Sequence, residues 1–156
     1  MDKKEQYREL KLQVQGLIEG ETLEVSVLAN VSAAIREMFG FFWVGFYLVR
    51  DNELALGPFQ GTPACYRIKK GRGVCGTAWA DGRSIVVKDV EEFPGHIACS
   101  SLSRSEIVVP LFDAAGIMRS ELDIDSTEIG TFDEDDREGL EAICCLVAKQ
   151  LYGNGQ

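Results

Sequence analysis

The segment HIACSSLSRSEIVVPL, His96 to Leu111, sets the only histidine of the chain three residues ahead of Cys99, in a polar loop that runs into a strand. An imidazole at that spacing can take the thiol proton or, once protonated, stabilise the thiolate, and the thiolate is the form of cysteine that attacks an electrophile. The competing reading has the thiol filling a small apolar gap while His96 is simply solvated. Cys65 and Cys75 sit in or beside expected turns, near Arg67, Lys69, Lys70 and Arg72, whose charge favours thiolate over thiol. Either could reach Cys99 if the loops converge, and ordinary burial is the alternative for both. Cys144 and Cys145 have Ile143, Leu146 and Val147 as helical neighbours, so at least one points into the core; both read as packing residues. The spacings contain no C-x-x-C knuckle and one histidine does not complete a tetrahedral set, so no metal site is expected.

The stretch LDIDS carries the second unusual pattern. Under the period-two rule Asp123 and Asp125 share one face of a strand, with Leu122 and Ile124 on the other. On an open face two acids are harmless. If Glu106, one hairpin strand away, faces the same side, three carboxylates converge; one is then driven to keep its proton while the others attract a cation such as an amino group. Trp43 and Tyr47, four apart on an earlier strand, share a face too, and fit either core packing or an aromatic wall over a small ligand.

These residues need a scaffold, and its elements are legible. Tyr7, Leu10, Val14, Leu17 and Ile18 form the stripe of an amphipathic helix that ends near Gly20. Thr22 is placed to cap a second helix, whose buried face is Leu23, Val27, Leu28, Val31, Ile35 and Met38. FFWVGFYLV and LALGPF read as a hairpin around RDNE, ACYRI as a short strand, VCGTAWADG as a helical turn and SIVVK as another strand. Asp89 to Ser103 is the longest irregular stretch and holds Cys99. EIVVPLF and IMRSELDID form a second hairpin around DAAG, with Pro110 required to sit where its missing N–H does no harm. Thr131 and Glu134 have capping-box spacing at the head of a closing helix that ends near Tyr152. The order is α+β: a roughly six-stranded antiparallel sheet with N-terminal and C-terminal helices packed on it, in one domain spanning residues 1–156.

Composition narrows the function classes. The net charge is −9, and the short RIKKGR of Arg67 to Arg72 is the only basic cluster, which disfavours a nucleic-acid partner. The N-terminus lacks the apolar core of a secretory signal and no run of about 18 apolar residues occurs, so a cytoplasmic protein away from membranes is expected. Five cysteines in a reducing compartment read as free thiols, some of them chemically active.

The ordered succession WVGFYL, LGPFQG, GRGVCGTA, EFPGHIAC, SEIVVPL and LDIDS resembles the free methionine-(R)-sulfoxide reductases, a family with a GAF-domain fold. The resemblance implies that Cys99 is the attacking nucleophile and that Cys65, the first choice, or Cys75 resolves the intermediate. It implies that Trp43 packs on the substrate methyl group, and that Tyr47, Glu106, Asp123 and Asp125 surround its polar end. It further implies no cofactor, free methionine-(R)-sulfoxide as substrate, a thioredoxin-type reductant and a homodimer. Two departures stand out: Ser100 follows Cys99 where the family usually has Asp, and Arg119 replaces a glycine with an extra residue lengthening the turn of the second hairpin. The rival class is a GAF sensor module that binds a small molecule without chemistry. A chain only just long enough for the fold favours the enzyme.

Overall fold

The computed structural model describes residues 1–97 and 99–153. Helix α1 (Lys3–Ile18) starts where the Asp2 carboxylate accepts the N–H of Glu5, and buries Tyr7, Leu10, Val14 and Ile18. Leu17 is exposed, because Ile18, four residues after Val14, takes the core-facing place on a 3.6-residue repeat. Helix α2 (Glu24–Phe39) is not capped by Thr22. The cap position falls to Leu23, exposed and without a side-chain acceptor, while the Glu21 carboxylate accepts the N–H groups of Thr22 and Leu23 just ahead of the helix, each at 3.1 Å.

Strands β1 (Trp43–Arg50) and β2 (Glu53–Gln60) form the first hairpin. The expected strand over ACYRI shrinks to β3 (Arg67–Ile68), since Cys65 is drawn away into a covalent link described below. Then come α3 (Gly73–Asp81), β4 (Ile85–Val87), the second hairpin of β5 (Ser105–Phe112) and β6 (Met118–Ser126), and α4 (Glu134–Tyr152). The sheet is antiparallel in the order β3-β2-β1-β6-β5-β4, so the two acid-bearing strands, β5 and β6, are neighbours and neither is an edge strand. β4 pairs only with Glu106 to Val108, so Pro110 faces no third strand. Leu111 pairs with Ser120 but Phe112 with Met118, which leaves Arg119 as the extra residue of a bulge, at the point where the sequence departs from its family pattern.

Period-two alternation splits the core in two. Val44, Phe46, Ile107, Val109, Leu111, Leu122 and Ile124 pack on one face against α1, α2 and α4. Trp43, Tyr47 and Val108 look the other way, toward Val74, Cys75 and Ala78 of α3.

The closing helix is boxed two residues later than expected. Asp133 accepts the N–H groups of Asp135 and Asp136 while the Asp136 carboxylate accepts the N–H of Asp133, and Thr131 Oγ1 is occupied with Ser126 Oγ at 2.6 Å. Asp136 also ties the termini together, accepting Tyr7 OH at 2.7 Å and Lys3 Nζ at 2.6 Å. Among the described residues no helix is long and apolar enough to cross a membrane.

Candidate active site

On the face covered by α3, the alternation of β6 aims Asp123 and Asp125 at the same side, and the register sets Glu106 of β5 directly opposite Asp125. Gly45 of β1 stands opposite Asp123. A methyl group at Gly45 would meet the Trp43 ring at 2.6 Å and collide with Phe59, so the bare backbone is what lets that ring lie flat over the strand. Trp43 stacks on Phe59 at 5.1 Å and lies 6.3 Å from Tyr47, which makes a continuous aromatic wall.

The polar ends of the same two aromatics hold the loop between β2 and β3. Trp43 Nε1–H donates to the Thr62 carbonyl at 2.8 Å and Tyr47 O–H to the Cys65 carbonyl at 2.9 Å. Cys99 comes from the opposite direction, on a loop whose base is closed by Val90 N–H to the Arg104 carbonyl (2.8 Å) and Arg104 N–H to the Ser126 carbonyl (2.7 Å). The two loops meet: Cys65 and Cys99 form a disulfide with their Cα atoms 5.6 Å apart. Cys75, Cys144 and Cys145 are free, with Cys144 buried and Cys145 exposed on α4.

Beside the disulfide lies a small pocket of about 40 Å³. Trp43 and Tyr47 wall it, Glu106, Asp123 and Asp125 floor it, and Cys75, His96 and Cys99 complete its lining. Reduced to its two thiols, this sulfur pair would hold the two electrons that a small bound oxidant takes up, and the acids of the pocket could supply the proton such a reduction consumes.

Residues 22–149 match the GAF domain family. The free methionine-R-sulfoxide reductase of Escherichia coli is 46% identical over 97% of this chain and 92% of its own length. GAF domain-containing protein A of Dictyostelium discoideum is 56% identical over 93% of this chain and 92% of its own. An X-ray structure of free methionine-R-sulfoxide reductase from Neisseria meningitidis in complex with its substrate superposes with a TM-score of 0.93 at 51% identity, covering 96% of this chain and 90% of that one. The chain belongs to the free methionine-R-sulfoxide reductases, built on a GAF domain.

Burial sets the protonation of the acids in this pocket. Burial, then the charges of Asp123 and Asp125, push Glu106 well above the usual carboxylate range. Burial and Asp123 do the same to Asp125. Burial raises Asp123 too, but the neighbouring Glu106 and Cys75 work against it, which makes Asp123 the pocket acid best able to keep a charge. His96 Nε2 lies 3.8 Å from Glu106 Oε1, yet burial lowers the imidazole pKa and raises that of the carboxyl, so burial works against an ion pair here.

Two expectations for the reductase site change. The basic residues near Cys75 do not govern it: it is enclosed in α3, and burial followed by the carboxylates Asp123, Glu121 and Glu106 drives its thiol pKa up, keeping it a thiol. The sequence reading also missed Glu121, which is fully buried on the same face of β6 as Asp123 and Asp125. Extending the period-two count by one step back from Asp123 would have found it.

Proposed function

We propose that the protein reduces free methionine-(R)-sulfoxide to methionine, with Cys99 as nucleophile and Cys65 as the resolving thiol. The observation that carries this reading is the Cys65–Cys99 disulfide beside a pocket with an aromatic wall and an acidic floor. That pair is the product such a cycle would leave, and Cys75 is free in the same arrangement.

In the reduced protein the Cys99 thiolate attacks the sulfoxide sulfur while a protonated carboxyl, Glu106 or Asp125, donates to the sulfoxide oxygen. The sulfur–oxygen bond of the substrate breaks, methionine leaves, and Cys99 carries the oxygen as a sulfenic acid. The Cys65 thiol displaces it, releasing water and forming the disulfide. An external dithiol of the thioredoxin type restores both thiols by exchange, so two thiols are oxidised for each sulfoxide reduced. Trp43 packs on the methyl group, and Tyr47 stands behind it. Asp123 faces the α-ammonium; a peptide bond removes that charge, which selects the free amino acid. A homodimer, on the strength of the family resemblance, and a cytoplasmic location, on the charged N-terminal sequence, complete the reading.

The test is turnover by Cys99→Ser. Loss of methionine formation with the fold retained is expected, and a Cys99→Ser protein that still reduces free methionine-(R)-sulfoxide would end the proposal. A sensor that only binds would show no turnover in the parent either.

A further inference from the structure

At the bottom of the pocket Cys75 Sγ, a Glu106 oxygen and an Asp123 oxygen lie within 4.8 Å of one another, each from a buried residue. The sulfur is 4.0 Å from Glu106 Oε2. Two further features point to a cation. Asp123 Oδ1 and both carboxylate oxygens of Glu121 are buried without a hydrogen-bond donor among the described residues, in side chains that are 6% and 0% exposed. Glu121 lies two residues from Asp123 on the same face of β6, and its charge acts on the Cys75 thiol. Buried carboxylate oxygens without donors are costly and are relieved by protons or by positive charge. Among the described residues the only ion-pair contact to any of these acids comes from His96, which burial keeps neutral.

We propose that Cys75, Glu106 and Asp123 form a binding site for a thiophilic divalent cation, best fitted by Zn²⁺, with Glu121 as a third carboxylate beside it, and that the bound ion excludes the substrate. One thiolate with two or three carboxylates mixes soft and hard donors in a way that suits zinc rather than magnesium or calcium. Tetrahedral zinc, with bonds of about 2.3 Å to sulfur and about 2.1 Å to oxygen, sets sulfur and oxygen roughly 3.6 Å apart. The 4.0 Å separation closes to that with a shift of a few tenths of an ångström. All three ligands line the pocket, which gives the ion a way in. Coordination releases the Cys75 proton, and any proton on the carboxyls, to solvent; no electrons move. A substrate ammonium offers these acids one positive charge, whereas the metal offers two and a bond to sulfur. Exclusion of substrate rests on the reading of this pocket as the methionine sulfoxide site; binding of the ion does not.

The experiment uses the reduced, chelator-treated full chain carrying Cys65→Ser and Cys99→Ser, titrated with Co²⁺ as a spectroscopic stand-in for zinc. A thiolate-to-cobalt charge-transfer band should saturate at one equivalent and vanish on addition of Zn²⁺. Replacing Cys75 by Ser or, if that variant does not fold, by Ala should abolish the band. Glu121→Gln should weaken Co²⁺ binding about tenfold, or about 1.4 kcal/mol. No band, or a band that survives loss of Cys75, overturns the site. In the parent protein Zn²⁺ should raise KM for methionine-(R)-sulfoxide with kcat unchanged; an unaltered KM with the site filled overturns the exclusion. A protein that binds Co²⁺ through Cys75 but reduces no sulfoxide upholds the site and sinks the function instead.

Discussion

Glu106 of β5 stands directly opposite Asp125 of β6, two acids paired across neighbouring inner strands, Glu106 buried and Asp125 half-buried. Like charges so placed cannot both ionise cheaply, so the pair holds a proton to higher pH than an ordinary carboxyl does. Glu106→Gln and Asp125→Asn should each lower kcat/KM for free methionine-(R)-sulfoxide by tenfold or more, a loss of at least about 1.4 kcal/mol of transition-state stabilisation. Values within about twofold of the parent in both variants would remove these groups from the chemistry. Their folded pKa values are raised, so each proton is kept to higher pH than on an ordinary carboxyl and lost as pH rises through the raised values; kcat should fall on the alkaline side in the parent, and this limb should flatten in the double variant.

The free state of Cys75 gives a second prediction. After one turnover without reductant, peptide mapping should find the bond between Cys65 and Cys99. Cys65→Ser should leave Cys99 able to turn over once, with methionine released and recycling by a dithiol such as thioredoxin slowed at least tenfold. Dominant recovery of a Cys75–Cys99 bond from the parent would transfer the resolving role, and a thiol kept protonated by burial among acids argues against that.

Gly45 tests the aromatic wall without touching a polar group. Gly45→Ala should displace Trp43, raising KM severalfold and lowering stability by about 1–3 kcal/mol, in line with the cost of overpacking a filled site. Unchanged KM and melting temperature would show that the ring has room to move.

At the other end of the molecule, Lys3 bonds to Asp136 and Asp133. Burial works against the charge on Lys3, but the two carboxylates outweigh it and hold its pKa above the ordinary value. Its contribution is therefore fully present below the unfolded lysine pKa of about 10.4 and fades as pH rises through the higher folded value. Asp133, where slight burial opposes the shift and the Lys3 bond prevails, is held below its ordinary range, so its share is present above about pH 3.9 and lost as pH falls through the lower folded value. Lys3→Met should lower Tm by several degrees at pH 7, about 1 kcal/mol, with the deficit shrinking at both extremes. A deficit independent of pH would assign the effect to packing.

Local patterning carried most of the fold. The stripes of α1 and α2, the aromatic first strand and the turn residues of both hairpins lie where their periodicities put them, because each is decided by neighbours three, four or two residues away. The failures were also local in kind. Helix α2 starts one residue later than a Thr22 cap requires, with Leu23 at the cap position, and the Thr131 hydroxyl is engaged by Ser126 while Asp133 and Asp136 box α4.

From its residues alone the chain determined that Asp123 and Asp125 share a face, that Trp43 and Tyr47 share another, and that Cys99 sits in a loop, since all three follow from chain period and turn chemistry. Only the tertiary structure decided that the two faces are one, that Cys65 is the cysteine meeting Cys99, that His96 contacts Glu106, and that Cys75 rests on acids rather than beside the basic residues near it in sequence. The physical reason is that charge and sulfur act over a few ångströms in space, and strand order and loop closure, not sequence spacing, set which groups come that close.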